Sequence, residues 1–299
     1  MTPSLSIDQL QARLAGERYL ADRELSTALY LSLALERPLL LEGEAGVGKT
    51  EVARALAAVL GAELIRLQCY EGIDISTAVY EWDYPRQMLE IRLLEARGEA
   101  KQAVTKDIFS EEFLIRRPLL RALDPGFSVP PVLLIDEIDR ADEEFEAFLL
   151  ELLSDFAITI PELGTLRAPR PPRVILTSNR TREIHDALKR RCLYQWIEYP
   201  TAERELAILL ARQPHLPDAL AREVVGFVQR LRGADLSKLP GIAETLDWAA
   251  ALVALGATRL EEGQVVETLG VLLKYQEDVA MMKSGAKTML AELRVGEGR

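Results

Sequence analysis

Residues 43–50 of this chain read Gly-Glu-Ala-Gly-Val-Gly-Lys-Thr, and this stretch decides the fold. Its glycines let backbone N–H groups turn toward an anion without a clashing Cβ. Its last two residues supply an ammonium group for phosphate oxygens and a hydroxyl group for Mg²⁺. The pattern Gly-x-x-x-x-Gly-Lys-Thr therefore predicts a loop that binds the phosphates of a nucleoside triphosphate.

The surroundings of this loop support the prediction. The apolar run Pro38–Glu42 predicts a buried strand before it, and Thr50–Leu60 predicts a helix after it, whose positive end would point at the phosphates. The competing interpretation is a glycine-rich turn with an incidental lysine. A dinucleotide-binding site is a weaker alternative, because this segment lacks the third glycine of that motif. The predicted phosphate-contacting residues are Gly43, Glu44, Ala45, Gly46, Val47, Gly48, Lys49, Thr50 and Glu51.

A second acidic motif follows another apolar run. Val132–Ile135 predicts a central parallel strand, and Asp136 and Glu137 come directly after it. Downstream of a phosphate loop, the aspartate would hold the hydration shell of Mg²⁺, with Thr50 as a second metal residue. The glutamate would orient and polarise the attacking water. The alternative is a solvated strand end.

Three further polar residues are candidates for the same chemistry. Asn179 follows the predicted strand Val174–Thr177 and can touch the γ-phosphate or the lytic water, or it is a turn residue. Arg190 and Arg191 can be offered to the γ-phosphate of a neighbouring subunit, or they form a solvated basic helix end.

The charges are distributed unevenly between two segments. In residues 167–191 eight residues are basic and only two, Glu183 and Asp186, are acidic, whereas residues 136–155 are strongly acidic, with Arg140 the only basic residue. Complementary faces of this kind suit head-to-tail packing into a ring. Two unrelated solvated surfaces are the competing interpretation.

The bulk properties exclude several classes of protein. The net charge of −11 over 299 residues argues against a general nucleic-acid coat. Cys69 and Cys192 form no Cys-x-x-Cys pair, so neither a zinc site nor a redox motif is indicated. No signal peptide or bilayer-spanning apolar run is evident. We therefore expect a cytoplasmic protein without a transmembrane segment, and peripheral membrane association is compatible with the sequence.

The remaining patterns divide the chain near Pro200. The segment before it predicts helices at Ser6–Gly16, Asp22–Leu35, Arg86–Arg97, Arg117–Leu123 and Asp142–Asp155, a strand at Glu63–Gln68 and a hairpin at Ile158–Leu166. From Thr201 onward only helical periods occur. We expect an α/β protein with a parallel sheet and a C-terminal all-helical domain.

The motifs in this order resemble those of the AAA+ ATPases, and in particular the MoxR family. The most specific segments are GEAGVGKT, VLLIDEIDRAD, the hairpin ITIPELGTLRA before LTSNR, and ALKRRCLYQWIEYP. Within that family, CYEGIDISTAVYEWDY and IAETLDWA are similar to the CoxD-like accessory ATPases encoded with carbon monoxide dehydrogenase.

The resemblance implies an αβα nucleotide-binding core at residues 1–200, a helical lid at 201–299, a hexameric ring, and ATP with Mg²⁺. It implies insertions near residues 69–83 and 157–168. It also makes Asn179 the first sensor and Arg191 the arginine finger, with Arg190 adjacent. One departure is clear: many relatives carry a lid arginine, but Leu239–Leu246 contains none.

The implied function is that of a chaperone-like motor that matures a metalloenzyme. Relatives usually act with a partner that carries a von Willebrand factor A domain, and the implied client is a molybdenum hydroxylase such as carbon monoxide dehydrogenase. Nucleic acid is not an expected partner. The alternatives are a DNA-acting AAA+ ATPase of the helicase or clamp-loader type, and a nucleotide-binding scaffold that does not hydrolyse ATP.

Overall fold

A five-stranded sheet forms the centre of the first part of the chain in the computed structural model, which describes residues 5–96 and 108–296. Its neighbouring strands β2, β5, β8 and β1 pair in parallel, and β9 closes the edge beside β1. The strands are β1 (Leu39–Gly43), β2 (Leu64–Gln68), β5 (Val132–Asp136), β8 (Arg173–Ser178) and β9 (Leu193–Ile197).

The interior strands of this sheet are buried on both faces, and most of their residues are apolar. Every residue of β1 and of β5 is buried, as expected for parallel strands covered by helices. Leu133 and Ile135 belong to one core cluster with Phe145 and Leu149. The helices of this part are α1 (Ile7–Gly16), α2 (Arg23–Leu35), α3 (Lys49–Leu60), α4 (Ile75–Ala78), α5 (Tyr84–Ala96), α6 (Pro118–Arg121), α7 (Glu143–Asp155) and α8 (Asp186–Arg191).

Two small antiparallel sheets stand apart from the central one. The predicted hairpin is confirmed as β6 (Ala157–Ile160) and β7 (Gly164–Arg167), and Gly164 has a φ of +79° where the chain reverses. The second pair, β3 (Tyr80–Trp82) and β4 (Leu114–Arg116), was not predicted. It buries Trp82, whose ring meets that of Tyr80 edge to face.

Most predicted elements are confirmed with small shifts of their ends. The helix predicted at Arg86–Arg97 is α5, and Arg97 lies outside the described residues. The helix predicted at Arg117–Leu123 is the single turn α6. The edge strand β9 was missed, because its residues are only partly buried and do not alternate cleanly.

The second part of the chain is helical through the described residues up to 296, as predicted. Its core contains Trp248 and Phe227, which are completely buried with ring centroids 5.3 Å apart. Trp248 Nε1 donates to Thr268 Oγ1 at 2.8 Å, so its polar atom is satisfied inside this core. The helices are α9 (Ala202–Arg212), α10 (Asp218–Arg232), α11 (Ile242–Ala254), α12 (Glu262–Leu272) and α13 (Gln276–Gly296).

The chain forms two compact units, and neither is continuous in sequence. The first contains the residues up to Leu10, Arg23–Glu42 and Val52–Trp196. The second contains Gln11–Asp22, Gly43–Glu51 and the residues from Ile197 onward. The division into a core at residues 1–200 and a lid at 201–299 stays a prediction.

The predicted α/β class, with a parallel sheet followed by a helical region, is confirmed. Among the helices in the described ranges, none has the length and apolar character needed to cross a bilayer.

Candidate active site

The predicted phosphate loop joins β1 to α3. Gly46 and Gly48 have φ values of +80° and +95°, a region in which residues with a Cβ are strained. A Cβ on Gly43 would clash with the carbonyl of Ile197. These glycines therefore fix a backbone curve that no other residue type forms without strain, as a cradle of backbone N–H groups requires.

Lys49 begins α3 and is buried at the base of this loop, with 6% of its surface exposed. Its Nζ donates to the carbonyl oxygens of Gly43 at 2.8 Å and Glu44 at 2.7 Å. The ammonium is thus held against the first two residues of the loop, at the positive end of the helix. Thr50, the next residue, lies in the first turn of the same helix.

The two carboxylates of the acidic motif occupy different backbone environments. Asp136 is the last residue of β5 and is 2% exposed, whereas Glu137 has a φ of +55°, in the left-handed region. Thr177 connects them, because its hydroxyl donates to Asp136 Oδ1 at 2.6 Å and accepts from Glu137 N–H at 2.9 Å. A left-handed glutamate is strained by about 1–3 kcal/mol, which the surrounding contacts must offset.

Two residues of β2, which the sequence analysis did not single out, reach the same motif. Arg66 donates to Asp136 Oδ2 through Nε at 2.9 Å and Nη2 at 2.6 Å. Gln68 Nε2 donates to Glu137 Oε2 at 3.1 Å. The register explains this convergence, since Gln68 is paired with Asp136 across β2 and β5. No local sequence signal marks these two residues, because their position beside the acidic motif follows only from the register of β2 against β5.

Asn179 follows the neighbouring strand β8 and lies beside Glu137. Its Nδ2 is 3.5 Å from Glu137 Oε1, at the outer limit of a hydrogen bond. The turn that carries it is fixed by Asp139, which accepts from Asn179 N–H at 3.2 Å and from the Thr181 N–H and hydroxyl at 2.9 and 2.7 Å. Asp139 is 2% exposed and was also missed.

The negative charge of this cluster affects a neighbouring thiol. Burial raises the pKa of Cys69 to about 12, and Asp136 is the next largest cause. Cys69 N–H donates to the Asp136 carbonyl at 2.8 Å, so the thiol is attached to the end of β5. The raised pKa keeps this thiol neutral and unreactive near neutral pH.

Arg190 and Arg191 lie at the end of α8 and are both exposed. Arg191 bonds within its own unit, with Nε donating to Ser154 Oγ at 2.5 Å and Nη1 to the Ala187 carbonyl at 3.1 Å. The two arginines therefore stand apart from the Asp136, Glu137 and Asn179 cluster, at the junction of α7 and α8.

The basic segment 167–191 is partly neutralised within its own unit. Arg182 pairs with the buried Glu146, and Arg167 lies 3.8 Å from Asp155. Both carboxylates belong to the acidic segment 136–155. The charge asymmetry therefore reflects intrachain pairing in part, an outcome that neither earlier interpretation included.

The predicted magnesium residues, Thr50 and Asp136, belong to different compact units. Within residues 5–96 and 108–296, no group of three or more His, Cys, Asp or Glu side chains is arranged to hold a metal. Mg²⁺ in triphosphate sites typically takes one or two protein oxygens, several waters and phosphate oxygens. A threonine hydroxyl and an aspartate carboxylate supply hard oxygen atoms of this kind.

The phosphate loop after β1, the acidic pair after β5 and the strand order β2-β5-β8-β1-β9 together define a P-loop nucleoside triphosphatase core. The family model described as AAA domain (dynein-related subfamily) matches residues 38–192, which is more than half of the chain. The chain belongs to this dynein-related AAA family.

Individual relatives are distant. The ATP-dependent protease ATPase subunit HslU of Chlorobaculum tepidum is 25% identical over 172 residues, covering 50% of this chain and 32% of HslU. The uncharacterized protein YeaC of Bacillus subtilis is 25% identical over 236 residues, covering 75% of this chain and 62% of YeaC. The chain thus spans less than two thirds of the length of these relatives. A mutant form of Thermotoga maritima RuvB superposes with a TM-score of 0.49 at 19% identity, covering 91% of this chain and 74% of RuvB.

Proposed function

We propose that this chain hydrolyses ATP and uses the energy as a remodelling factor of the MoxR type. The observation that carries hydrolysis is the setting of Glu137. Its carboxylate accepts from Gln68 at 3.1 Å and lies 3.5 Å from the Asn179 amide, at the carboxyl edge of the sheet. These amide groups fix the orientation of the carboxylate, and a general base must be oriented toward the water from which it takes a proton.

In this proposal the loop residues Gly43–Glu51 bind the polyphosphate. Their N–H groups and the Lys49 ammonium would neutralise phosphate oxygens, and Thr50 and Asp136 would hold Mg²⁺ with its waters. Bound Mg²⁺ would neutralise charge on the β- and γ-phosphates. Glu137 takes the proton of the water that attacks the γ-phosphorus, Asn179 positions that water, and ADP and phosphate are the products.

Release of phosphate from ATP tests this assignment. We expect the purified chain to hydrolyse ATP with Mg²⁺, and the Glu137→Gln variant to bind ATP while its turnover falls by about 100-fold or more, the usual loss when a general base is removed. A matched control is Glu267→Gln, an exposed residue of α12 in the other unit. Unchanged turnover in the Glu137 variant would refute the mechanism, and a wild-type chain that binds ATP without hydrolysing it would support the scaffold alternative.

We further propose that Arg191 completes the site of a neighbouring subunit in a hexameric ring, with Arg190 as the adjacent candidate. Both are exposed at the end of α8, and an arginine supplied in trans typically contributes about 10³–10⁵ in rate. In this proposal Arg191 would exchange its bond to Ser154 for a contact with the γ-phosphate of the neighbouring subunit.

Subunit mixing separates the two arginines. An Arg191→Ala subunit lacks only the finger and a Glu137→Gln subunit lacks only the base, so mixed rings should recover turnover that neither variant has alone. The same mixture with Arg190→Ala serves as the comparison. Normal hydrolysis by Arg191→Ala rings would exclude Arg191 as the finger, and rescue that appears only with Arg190→Ala would assign the role to Arg190.

The client and partner follow from the resemblance of VLLIDEIDRAD, ITIPELGTLRA and CYEGIDISTAVYEWDY to MoxR-family and CoxD-like segments. We propose a protein with a von Willebrand factor A domain as partner and a molybdenum hydroxylase, such as carbon monoxide dehydrogenase, as client. In cells that express only Glu137→Gln, the hydroxylase should accumulate without full activity. Full hydroxylase activity in those cells would exclude this client. Salt-sensitive DNA binding at micromolar protein would instead support the DNA-acting alternative.

A further inference from the structure

The lid segment Leu239–Leu246, which carries no arginine, makes a close backbone contact with the phosphate loop. A Cβ on Gly241 would lie 2.7 Å from both the carbonyl carbon and the carbonyl oxygen of Gly46. A Cβ on Gly46 would lie 2.7 Å from Glu244 Oε2 and 3.3 Å from the Gly241 Cα. The contact therefore requires glycine on both sides, and its two backbones touch where side chains would normally separate them.

A backbone hydrogen bond joins the same two segments. The N–H of Ala243, in the first turn of α11, donates to the Gly46 carbonyl at 3.2 Å. Gly241 N–H donates to Glu244 Oε2 at 3.0 Å, which caps the start of that helix. The first turn of α11 is thus bonded to the phosphate loop through its backbone.

A buried polar network holds this turn to the neighbouring helices. Thr245 Oγ1 donates to Glu205 Oε1 of α9 at 2.7 Å. Arg232 of α10 makes two bonds of 2.7 Å to the same carboxylate, and its Nε donates to the Pro240 carbonyl at 2.8 Å. Glu205 and Thr245 are completely buried. A displacement of the α11 start must therefore move α9 and α10 or break bonds between buried charged groups, which is costly.

Peptide planarity explains how phosphate binding would affect the contact between Gly46 and α11. The Gly46 carbonyl and the Val47 N–H belong to one rigid peptide unit, so turning one turns the other. If the Val47 N–H donates to a phosphate, the Gly46 carbonyl becomes fixed and a stronger acceptor for Ala243, because linked hydrogen bonds polarise one another. A phosphate on one side of this peptide is then sensed by α11 on the other.

We propose that the first turn of α11, Gly241–Thr245, is the nucleotide-responsive contact of the helical region. It couples polyphosphate binding at Gly46 to α9 and α10 through backbone bonds, where many relatives use an arginine side chain. This inference rests on the proposed binding of ATP to the loop.

Hydrogen exchange of the full-length chain, measured with and without a slowly hydrolysed ATP analogue and Mg²⁺, tests the coupling. In the wild type we expect the amides of residues 242–246 to exchange roughly tenfold more slowly when nucleotide is bound, a typical coupling strength. Gly241→Ala inserts a methyl group into the contact and should abolish this protection and weaken analogue binding roughly tenfold. Glu244→Ala removes the acceptor of the Gly241 N–H without adding atoms and should reduce the protection as well.

Gly270→Ala is the matched control, because a Cβ at this α12 position meets no atom within 4 Å. It should keep both the affinity and the nucleotide-dependent protection. If the wild type binds the analogue and both contact variants keep the protection, the coupling is refuted while the proposed function stands. If calorimetry shows that the wild type does not bind the analogue, both the coupling and the proposed function are refuted.

Discussion

The phosphate loop and the acidic pair are built in opposite ways. The loop takes its shape from its own residues: Gly46 and Gly48 set the curve, and Lys49 bonds to carbonyls only five and six positions earlier. The acidic pair takes its shape from distant residues, since Arg66 and Thr177 reach Asp136 from 70 and 41 positions away. The curve of this local device is set within the loop, although Gly46 also packs against Gly241, whereas the convergent device exists only once the sheet has formed.

This difference predicts two kinds of mutational effect. Substitutions in the loop should change nucleotide binding with little effect on the sheet. Substitutions around the acidic pair should change turnover and stability together, because the same hydrogen bonds satisfy buried groups and orient the carboxylate that we propose as the general base.

The sharpest test of the local device is Lys49→Ala. The loop keeps its glycines, but the phosphates lose their only ammonium partner within the loop, so ATP affinity should fall by about 100-fold or more. Isothermal titration calorimetry with ATP and Mg²⁺ measures it. Lys283→Ala, which removes an exposed lysine of α13, should bind ATP normally. Near-normal ATP affinity in the Lys49 variant would refute the assignment of this loop as the phosphate-binding site.

Thr177→Val tests the convergent device most directly. Valine has nearly the same shape, yet it leaves Asp136 Oδ1 and the Glu137 N–H without their shared partner in a buried place. We expect a loss of about 1–3 kcal/mol in the free energy of unfolding by urea, together with slower turnover. Thr165→Val, on the exposed hairpin strand β7, should cost less than about 0.5 kcal/mol. A stable variant with slow turnover would separate the two roles that we assign to one hydroxyl.

A smaller effect is expected for Gln68→Ala. Glu137 would lose one orienting donor but keep its backbone position and its proximity to Asn179. ATP hydrolysis should fall about tenfold while ATP affinity stays unchanged, since the amide acts on the base and not on the phosphates. Gln276→Ala at the exposed start of α13 is the control. Weaker ATP binding in the Gln68 variant would place this residue in the binding step instead.

The smallest effect concerns pH and the thiol beside the acidic pair. Burial raises the pKa of Cys69 from 9.0 to about 12, so the folded chain holds the proton more tightly than the unfolded chain does. The stability due to this thiol is complete below about pH 9 and is lost as the pH rises toward 12, with a slope of about 1.4 kcal/mol per pH unit. Urea unfolding of Cys69→Ala and wild type between pH 7 and 10 measures the difference in slope.

Cys192 is the internal comparison for that measurement. Burial raises its pKa to about 12 as well, but Arg37 and Arg191 oppose the rise instead of adding to it. We therefore expect Cys192→Ala to remove a similar part of the pH dependence of the free energy of unfolding. The two thiols would then contribute independently to this dependence. An identical pH dependence in both variants and the wild type would show that neither thiol is linked to folding.

The contrast between local and long-range interactions determines how much of the structure could be predicted from the sequence. The loop, its flanking elements and the strands β1, β5 and β8 were predictable, because apolar runs and glycine spacing are local signals. The neighbours of the acidic pair were not, since Arg66 and Gln68 look like ordinary polar residues of a strand until the register sets Gln68 beside Asp136. The contact between Gly46 and Gly241 was invisible for the same reason, as it joins residues almost 200 positions apart.

The discontinuity of the second unit affects how the protein folds during its synthesis on the ribosome. Residues 43–51 are synthesised early, but the unit to which they belong is finished only with the residues from Ile197 onward, roughly 150 residues later. At about 5–20 residues per second, the nascent loop waits on the order of ten seconds for its partners. Ala45 and Val47 are the only apolar side chains of this glycine-rich segment, so it offers little apolar surface to which other nascent chains could adhere.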